Sequence, residues 1–93
     1  MSKTATAVVT VPNKLGLHAR PATIFVEAAS TKKSAITVRR CDQDEAVDGK
    51  SVLHMMLLAA TEGTKIEITA TGCDADEAVT SLVRLVSSGF EEE

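Results

Sequence analysis

His18 and Arg20 stand two residues apart in the stretch Gly16–Ala22, GLHARPA, with Pro21 immediately after them. An imidazole titrates near neutrality, so at pH 7 it is largely unprotonated and nucleophilic. A guanidinium is a permanent cation with several donors in a rigid fork. If the pair falls at a helix start, unpaired backbone N–H groups and the positive dipole end join it, and the place suits an anion, phosphate above all. A phosphoryl group on an imidazole nitrogen there would stay labile enough to be handed on. A serine in the same place would give a phosphoester that transfers poorly. The plain alternative is an exposed cap residue beside a solvated charge, and spacing alone does not separate the two.

The first requirement is therefore a helix that begins at His18, and the periodicity supplies one. From Ala19 to about Ser30, Ala22, Phe25, Val26 and Ala29 recur at helical spacing and form a stripe that can face a core. Pro21 lies in the first turn, where its missing N–H costs little. That places His18 at the N-cap or one residue from it. Upstream, Thr4–Val11 alternates as a strand with Ala5, Ala7, Val9 and Val11 on one face. Pro12 and Asn13 end it, and Gly16 frees the loop that follows.

The rest of the chain continues the alternation of elements. Ala35–Arg39 reads as a second strand with Ile36 and Val38 on one side, and Glu45–Val47 as a short third strand after the polar turn Cys41–Asp44. Asp48-Gly49-Lys50 breaks it, and a short helix runs from near Ser51 through Ala59, stopped by Glu62-Gly63. Ile66, Ile68 and Ala70 alternate in a fourth strand. Asp74-Ala75-Asp76-Glu77 has the form of a capping box with Asp in the capping place. Ala75, Ala78, Val79, Leu82, Val83 and Val86 then line one face of a last helix, and Gly89 suits its C′ position. The order is βαββαβα. Strands with one apolar face predict an α+β fold, an antiparallel sheet with all three helices on that face. Residues 1–93 read as one domain, with the acidic tail Glu91–Glu93 expected to fray.

Composition narrows the function further. With 93 residues and 44% hydrophobic side chains, the chain can bury one modest core without metals or crosslinks. Aromatics are 2%, which argues against a base-stacking platform, and a net charge of −3 argues against a nucleic-acid surface. The longest apolar run, Met55–Ala60, is too short to cross a bilayer, and the opening MSKTATAVV lacks a signal-peptide core. A cytoplasmic location is expected. Cys41 and Cys73 match no CxxC pattern and read as reduced, incidental thiols. Two separated histidines and two cysteines offer no metal-ligand spacing. No Ser–His–acid arrangement points to a hydrolase. No phosphate-cradling loop with its own Arg and Asn points to a small acylphosphatase-like or ferredoxin-like enzyme.

NKLGLHARPA, Asn13–Ala22, resembles the active-site signature of the HPr family, the histidine phosphocarriers of the bacterial phosphoenolpyruvate-dependent phosphotransferase system. GKSVLHMMLLAATEGTKIEITATG, Gly49–Gly72, is similar to that family's second helix and fourth strand. The resemblance covers nearly the whole chain. It implies an open-faced sandwich with sheet order 1-4-2-3 and a monomeric protein. It also implies that His18 is phosphorylated on Nδ1 by enzyme I and passes the group to an enzyme IIA-type acceptor, with Arg20 beside the phosphate and no cofactor. VSSGFEEE and LGLHARPA are similar to the family's nitrogen-related branch, NPr, whereas the serine segment resembles carriers of sugar uptake. A general HPr-type carrier is favoured, with an NPr-like role next and a purely regulatory module of the same fold after it. The intact His18, Arg20 and Pro21 disfavour that last reading.

Ser51 precedes VLHMMLLA and is expected to cap the short helix. By resemblance it aligns with the serine that HPr kinase/phosphorylase modifies in some family members. Leu53 and His54 depart from the Gram-positive form of that segment, in which Met and Gly are common. His54 reads as a partly exposed side chain with no catalytic partner. Ala22, Leu53 and Met56 are the candidate docking residues. Leu53 and Met56 lie one turn apart on a helix too apolar to bury every side, and a methionine adapts to more than one partner.

Overall fold

Ile66, Ile68 and Ala70, the cleanest alternation in the sequence, are fully buried along one face of an interior strand. The computed structural model describes residues 3–90, so the tail expected to fray at 91–93 lies outside the described residues. The elements are β1 (Lys3–Thr10), α1 (Ala19–Ser30), β2 (Ala35–Arg40), β3 (Ala46–Asp48), α2 (Val52–Leu57), β4 (Lys65–Gly72) and α3 (Ala75–Ser87). The sheet order is β1-β4-β2-β3, antiparallel throughout. This is the antiparallel α+β arrangement that the alternating strands predict, with the strand order that the family resemblance implies.

The register explains the layering. Ala7, Ile68, Val38 and Val47 stand side by side across the four strands, and Ala5, Ala70 and Ile36 form the neighbouring row. Because side chains alternate with period two, one such row fixes the whole apolar face. The helices cover it with Phe25, Met55, Leu82 and Val86, all fully buried. The opposite face is polar apart from the exposed Val8. Thr4 and Thr71 pair across β1 and β4 at 3.4 Å, Thr6 and Thr69 at 3.3 Å, and Arg39 meets Glu67 at 3.1 Å. No helix among the described residues is long and apolar enough to cross a membrane.

The strand ends differ from expectation by a residue. β3 covers Ala46–Asp48 rather than Glu45–Val47, because pairing sets Val47 opposite Val38 and the Gly49 N–H then donates to the Ile36 carbonyl at 2.8 Å. α2 is shorter than expected and stops at Leu57. Ala59 then turns left-handed at φ 52°, and Leu58 and Ala60 are buried on the way to β4. No glycine marks that stop, so tertiary contacts set it. α3 ends as its glycine predicts. The Gly89 N–H donates to Val86 at 2.9 Å and the Phe90 N–H to Leu85 at 2.9 Å, a Schellman closure that delivers Phe90 into the core.

The capping box expected at Asp74 does not form. Asp74 is the N-cap residue of α3, but its side chain makes no cap bond. One carboxylate oxygen accepts the Ser34 N–H at 2.9 Å and the Ser34 hydroxyl at 2.5 Å, and the other accepts the Lys33 N–H at 2.9 Å. Three donors on the α1–β2 connection outbid the single N–H of a helical turn. Ser34 is fully buried, so Asp74 also satisfies a hydroxyl that water cannot reach. The Ser34 hydroxyl, then the Lys33 and Ser34 amides, hold the Asp74 carboxyl down from 3.8 to about 2. A carboxyl lowered on folding stabilises the fold above its unfolded value and loses that contribution as pH falls through its folded value. The loss therefore belongs between about pH 4 and pH 2. Ser34→Ala is expected to destabilise the fold at neutral pH, because it removes the hydroxyl that donates to the Asp74 carboxylate while leaving the Lys33 and Ser34 amides in place. It should also shrink the acid-side loss, which urea melts across that range would measure.

Candidate functional site

The loop before His18 is closed by its own backbone. The Gly16 N–H donates to the Asn13 carbonyl at 3.0 Å, and the Asn13 amide donates back to the Gly16 carbonyl at 2.6 Å. Gly16 has φ 68°, and a Cβ there would stand 2.7 Å from the Thr61 Cα and closer still to the Ala60 carbonyl oxygen. Only glycine permits both the left-handed turn and that approach. Leu17 then anchors the loop twice. Its side chain is buried, and its N–H donates to the Ala60 carbonyl at 2.8 Å.

His18 follows as the N-cap of α1, extended at φ −89° and ψ −167°, half-buried, with no cap bond from its side chain. Its carbonyl accepts the Ala22 N–H at 3.0 Å, the first rung of the helix. The first turn thus contains the N–H groups of Ala19 and Arg20, which have no place in the helical ladder, and Pro21, which has none to offer. Arg20 is exposed at the second helical position. An imidazole, two helix-start donors and a guanidinium therefore occupy one helix end.

Ser51 is the N-cap of α2, and its hydroxyl accepts the His54 N–H at 3.3 Å, as expected of a cap. α2 divides cleanly beyond it. Met55 is buried, while Leu53 is 68%, Met56 42% and Leu57 68% exposed. Ala22 lies elsewhere. It is fully buried in the core, so its place among the docking residues is corrected: it supports α1 from beneath and offers no surface. Its own position in the apolar stripe of α1 already carried that signal. Two exposed leucines were missed. Leu57 shares the face of Leu53 at i+4, a spacing visible in the sequence. Leu15, 76% exposed at the tip of the loop before His18, had no periodic context to single it out.

A family model described as the PTS HPr component phosphorylation site matches residues 5–88. The chain belongs to the HPr family. Phosphocarrier protein HPr of Pseudomonas aeruginosa is 42% identical over 84 residues, which cover 90% of this chain and 92% of that protein. Phosphocarrier protein NPr of Proteus mirabilis is 39% identical over 85 residues, 91% of this chain and 93% of the relative. The crystal structure of HPr-C-His from Thermoanaerobacter tengcongensis matches with a TM-score of 0.87 at 38% identity, covering 96% of this chain and 98% of that one. Both HPr and NPr carriers are thus among the relatives of this HPr-family chain, and the fold is that of the family's solved structures.

Proposed function

We propose that this chain is a monomeric, cytoplasmic histidine phosphocarrier that takes a phosphoryl group from phospho-enzyme I on His18 and gives it to an enzyme IIA-type acceptor. The observation that carries this reading is the half-buried His18 at the N-cap of α1, with the exposed Arg20 in the first turn of the same helix. The Nδ1 lone pair attacks phosphorus while the N–P bond to the donor histidine breaks in line. The donor imidazole leaves with the electron pair, and the His18 proton stays on Nε2. The onward step is the same displacement with His18 as leaving group. The helix-start N–H groups and Arg20 offset charge on the transferring group, and docking sets the line of attack. A half-open site suits a group that must both arrive and leave. Intact-protein mass spectrometry with phosphoenolpyruvate and enzyme I is expected to show one acid-labile phosphate, discharged on addition of a IIA-type acceptor. An unchanged mass would reject the reading. A general HPr-type role is favoured over the NPr-like branch, and the acceptor that discharges the protein faster decides between them.

Arg20→Ala should slow transfer by about tenfold to a hundredfold. That is below the ~10²–10³ lost with a water-excluded oxyanion donor, because Arg20 is exposed. Stability should stay within about 0.5 kcal/mol, as for most surface substitutions. Stopped kinetics beside a urea melt reads both. Unchanged transfer would make Arg20 a solvated charge.

Ser51 is the proposed second, regulatory site, with HPr kinase/phosphorylase as the modifying partner. Its hydroxyl caps α2, the helix that carries the exposed Leu53 and Met56. A phosphate there adds charge beside a face that docks through apolar contact. Phosphorylated Ser51 is expected to keep the fold and to slow the labelling of His18 by enzyme I. Equal labelling rates for the two forms would leave Ser51 a cap alone.

A further inference from the structure

α2 is six residues long and ends without a glycine. Its last carbonyls are left over by the helix, and Ala59 sits in the left-handed region at φ 52°, which disfavours a residue with a Cβ. A side chain from the sheet meets both difficulties. Arg40, the last residue of β2, donates from one terminal nitrogen to the Leu58 carbonyl at 3.3 Å and to the Ala59 carbonyl at 3.1 Å. The other edge of its guanidinium is held by Asp42, with Nε to Oδ1 at 3.0 Å and the second terminal nitrogen to Oδ2 at 2.9 Å. A fork fixed at two points aims its remaining donors, which a flexible ammonium does not. The side chain is only 21% exposed.

The next residue, Ala60, is the one that receives the Leu17 N–H and against which Gly16 packs. The bonded path thus runs from Asp42 to Arg40, to the Leu58–Ala59 turn, to Ala60, to Leu17 and so to His18. On the far side the same segment is tied to the end of β1, where the Gly63 N–H donates to the Val11 carbonyl and the Val11 N–H to the Thr64 carbonyl, and it is closed on itself by the Thr61 N–H donating to the Thr64 hydroxyl. Those bonds fix residues 61–64. The Leu58–Ala59 carbonyls are fixed by Arg40.

We infer that Arg40, steadied by Asp42, is a positioning residue for phosphoryl transfer: it clamps the C-terminal turn of α2 and through Ala60 sets the place of the His18 loop. The inference rests on the reading of His18 as the phosphoryl acceptor. In-line displacement is sensitive to misplacement of the nucleophile by fractions of an ångström, so a loosened loop lowers the rate of the step.

The test is enzyme I-dependent phosphorylation at varied carrier concentration, with amide hydrogen exchange on the same samples. Arg40→Ala is expected to lower kcat about tenfold, with a smaller change in KM, as for a misplaced nucleophile. The Leu17 amide should exchange faster while Ile66 and Ile68 in β4 keep their protection. Arg40→Lys should recover part of kcat, since an ammonium reaches a carbonyl but lacks the two-point hold. Asp42→Asn should fall between Arg40→Ala and wild type, and it serves as the milder variant should Arg40→Ala fail to fold. Unchanged kcat with unchanged Leu17 exchange overturns the clamp while wild-type transfer leaves the function standing. Equal loss of protection at Leu17, Ile66 and Ile68 also overturns it, by reducing Arg40 to general stability. A wild-type protein that enzyme I does not label instead rejects the function, and selective loss at Leu17 would still register the clamp.

Discussion

His18→Ala is expected to take up no phosphate from phosphoenolpyruvate and enzyme I, against full labelling of the wild-type chain. The loss should be complete because alanine offers no nitrogen to carry the group, and the second histidine, His54, is exposed on α2 rather than at the start of α1. The variant should also remain folded. An N-cap side chain that bonds its helix costs about 0.5–2 kcal/mol when replaced by alanine, but His18 makes no such bond. Leu17 keeps the loop in place through its buried side chain and its bond to Ala60. Loss of labelling can therefore be read as loss of chemistry, with a circular dichroism spectrum as the check. Full labelling of His18→Ala would move the acceptor elsewhere and end the mechanism.

Phe90→Ala should be the most damaging change to the fold. Phe90 is fully buried beyond the end of α3, where the Schellman closure turns the chain back onto the core. Truncating a buried phenylalanine costs about 3–5 kcal/mol through lost transfer energy and the cavity left behind. Domains of this size have a total stability of about 5–10 kcal/mol, so about half of the margin goes. The urea midpoint should fall by about half, with an unchanged slope if the native state stays two-state. A shift of a few tenths of a molar would mean that the site collapses around the gap or that the residue is less buried in solution.

Phe90 also shows where the sequence stopped being readable. Gly89 announced the helix end, but a lone phenylalanine between a glycine and three glutamates belongs to no periodic pattern. Its burial follows from the backbone path after the cap. The strands were legible because one buried face imposes period two, and α1 because Ala22, Phe25 and Ala29 mark its inner face. Even so, Ala22 was read as a docking residue when that stripe had already assigned it to the core. Asp74 was legible as an N-cap position and not as a clamp, because the donors on Lys33 and Ser34 are 40 or more residues away in sequence. The end of α2 was misplaced for the same reason. The carbonyls just beyond it are bonded by Arg40 across a separation of 18 and 19 residues, and no local residue type encodes that contact. At the site, His18, Arg20 and Gly16 could be read from one short stretch. The Ala60 carbonyl that anchors them could not, since a backbone acceptor has no residue signature.

Nitrogen-resolved NMR of the two imidazoles, recorded on the wild-type protein during phosphorylation by enzyme I and after a IIA-type acceptor is added, tests the central claim most directly. The account predicts a phosphorus-coupled signal on Nδ1 of His18 that disappears when the acceptor is added, with both nitrogens of His54 unmoved throughout. Phosphorus on His54, or a His18 imidazole unchanged by active enzyme I, would contradict it.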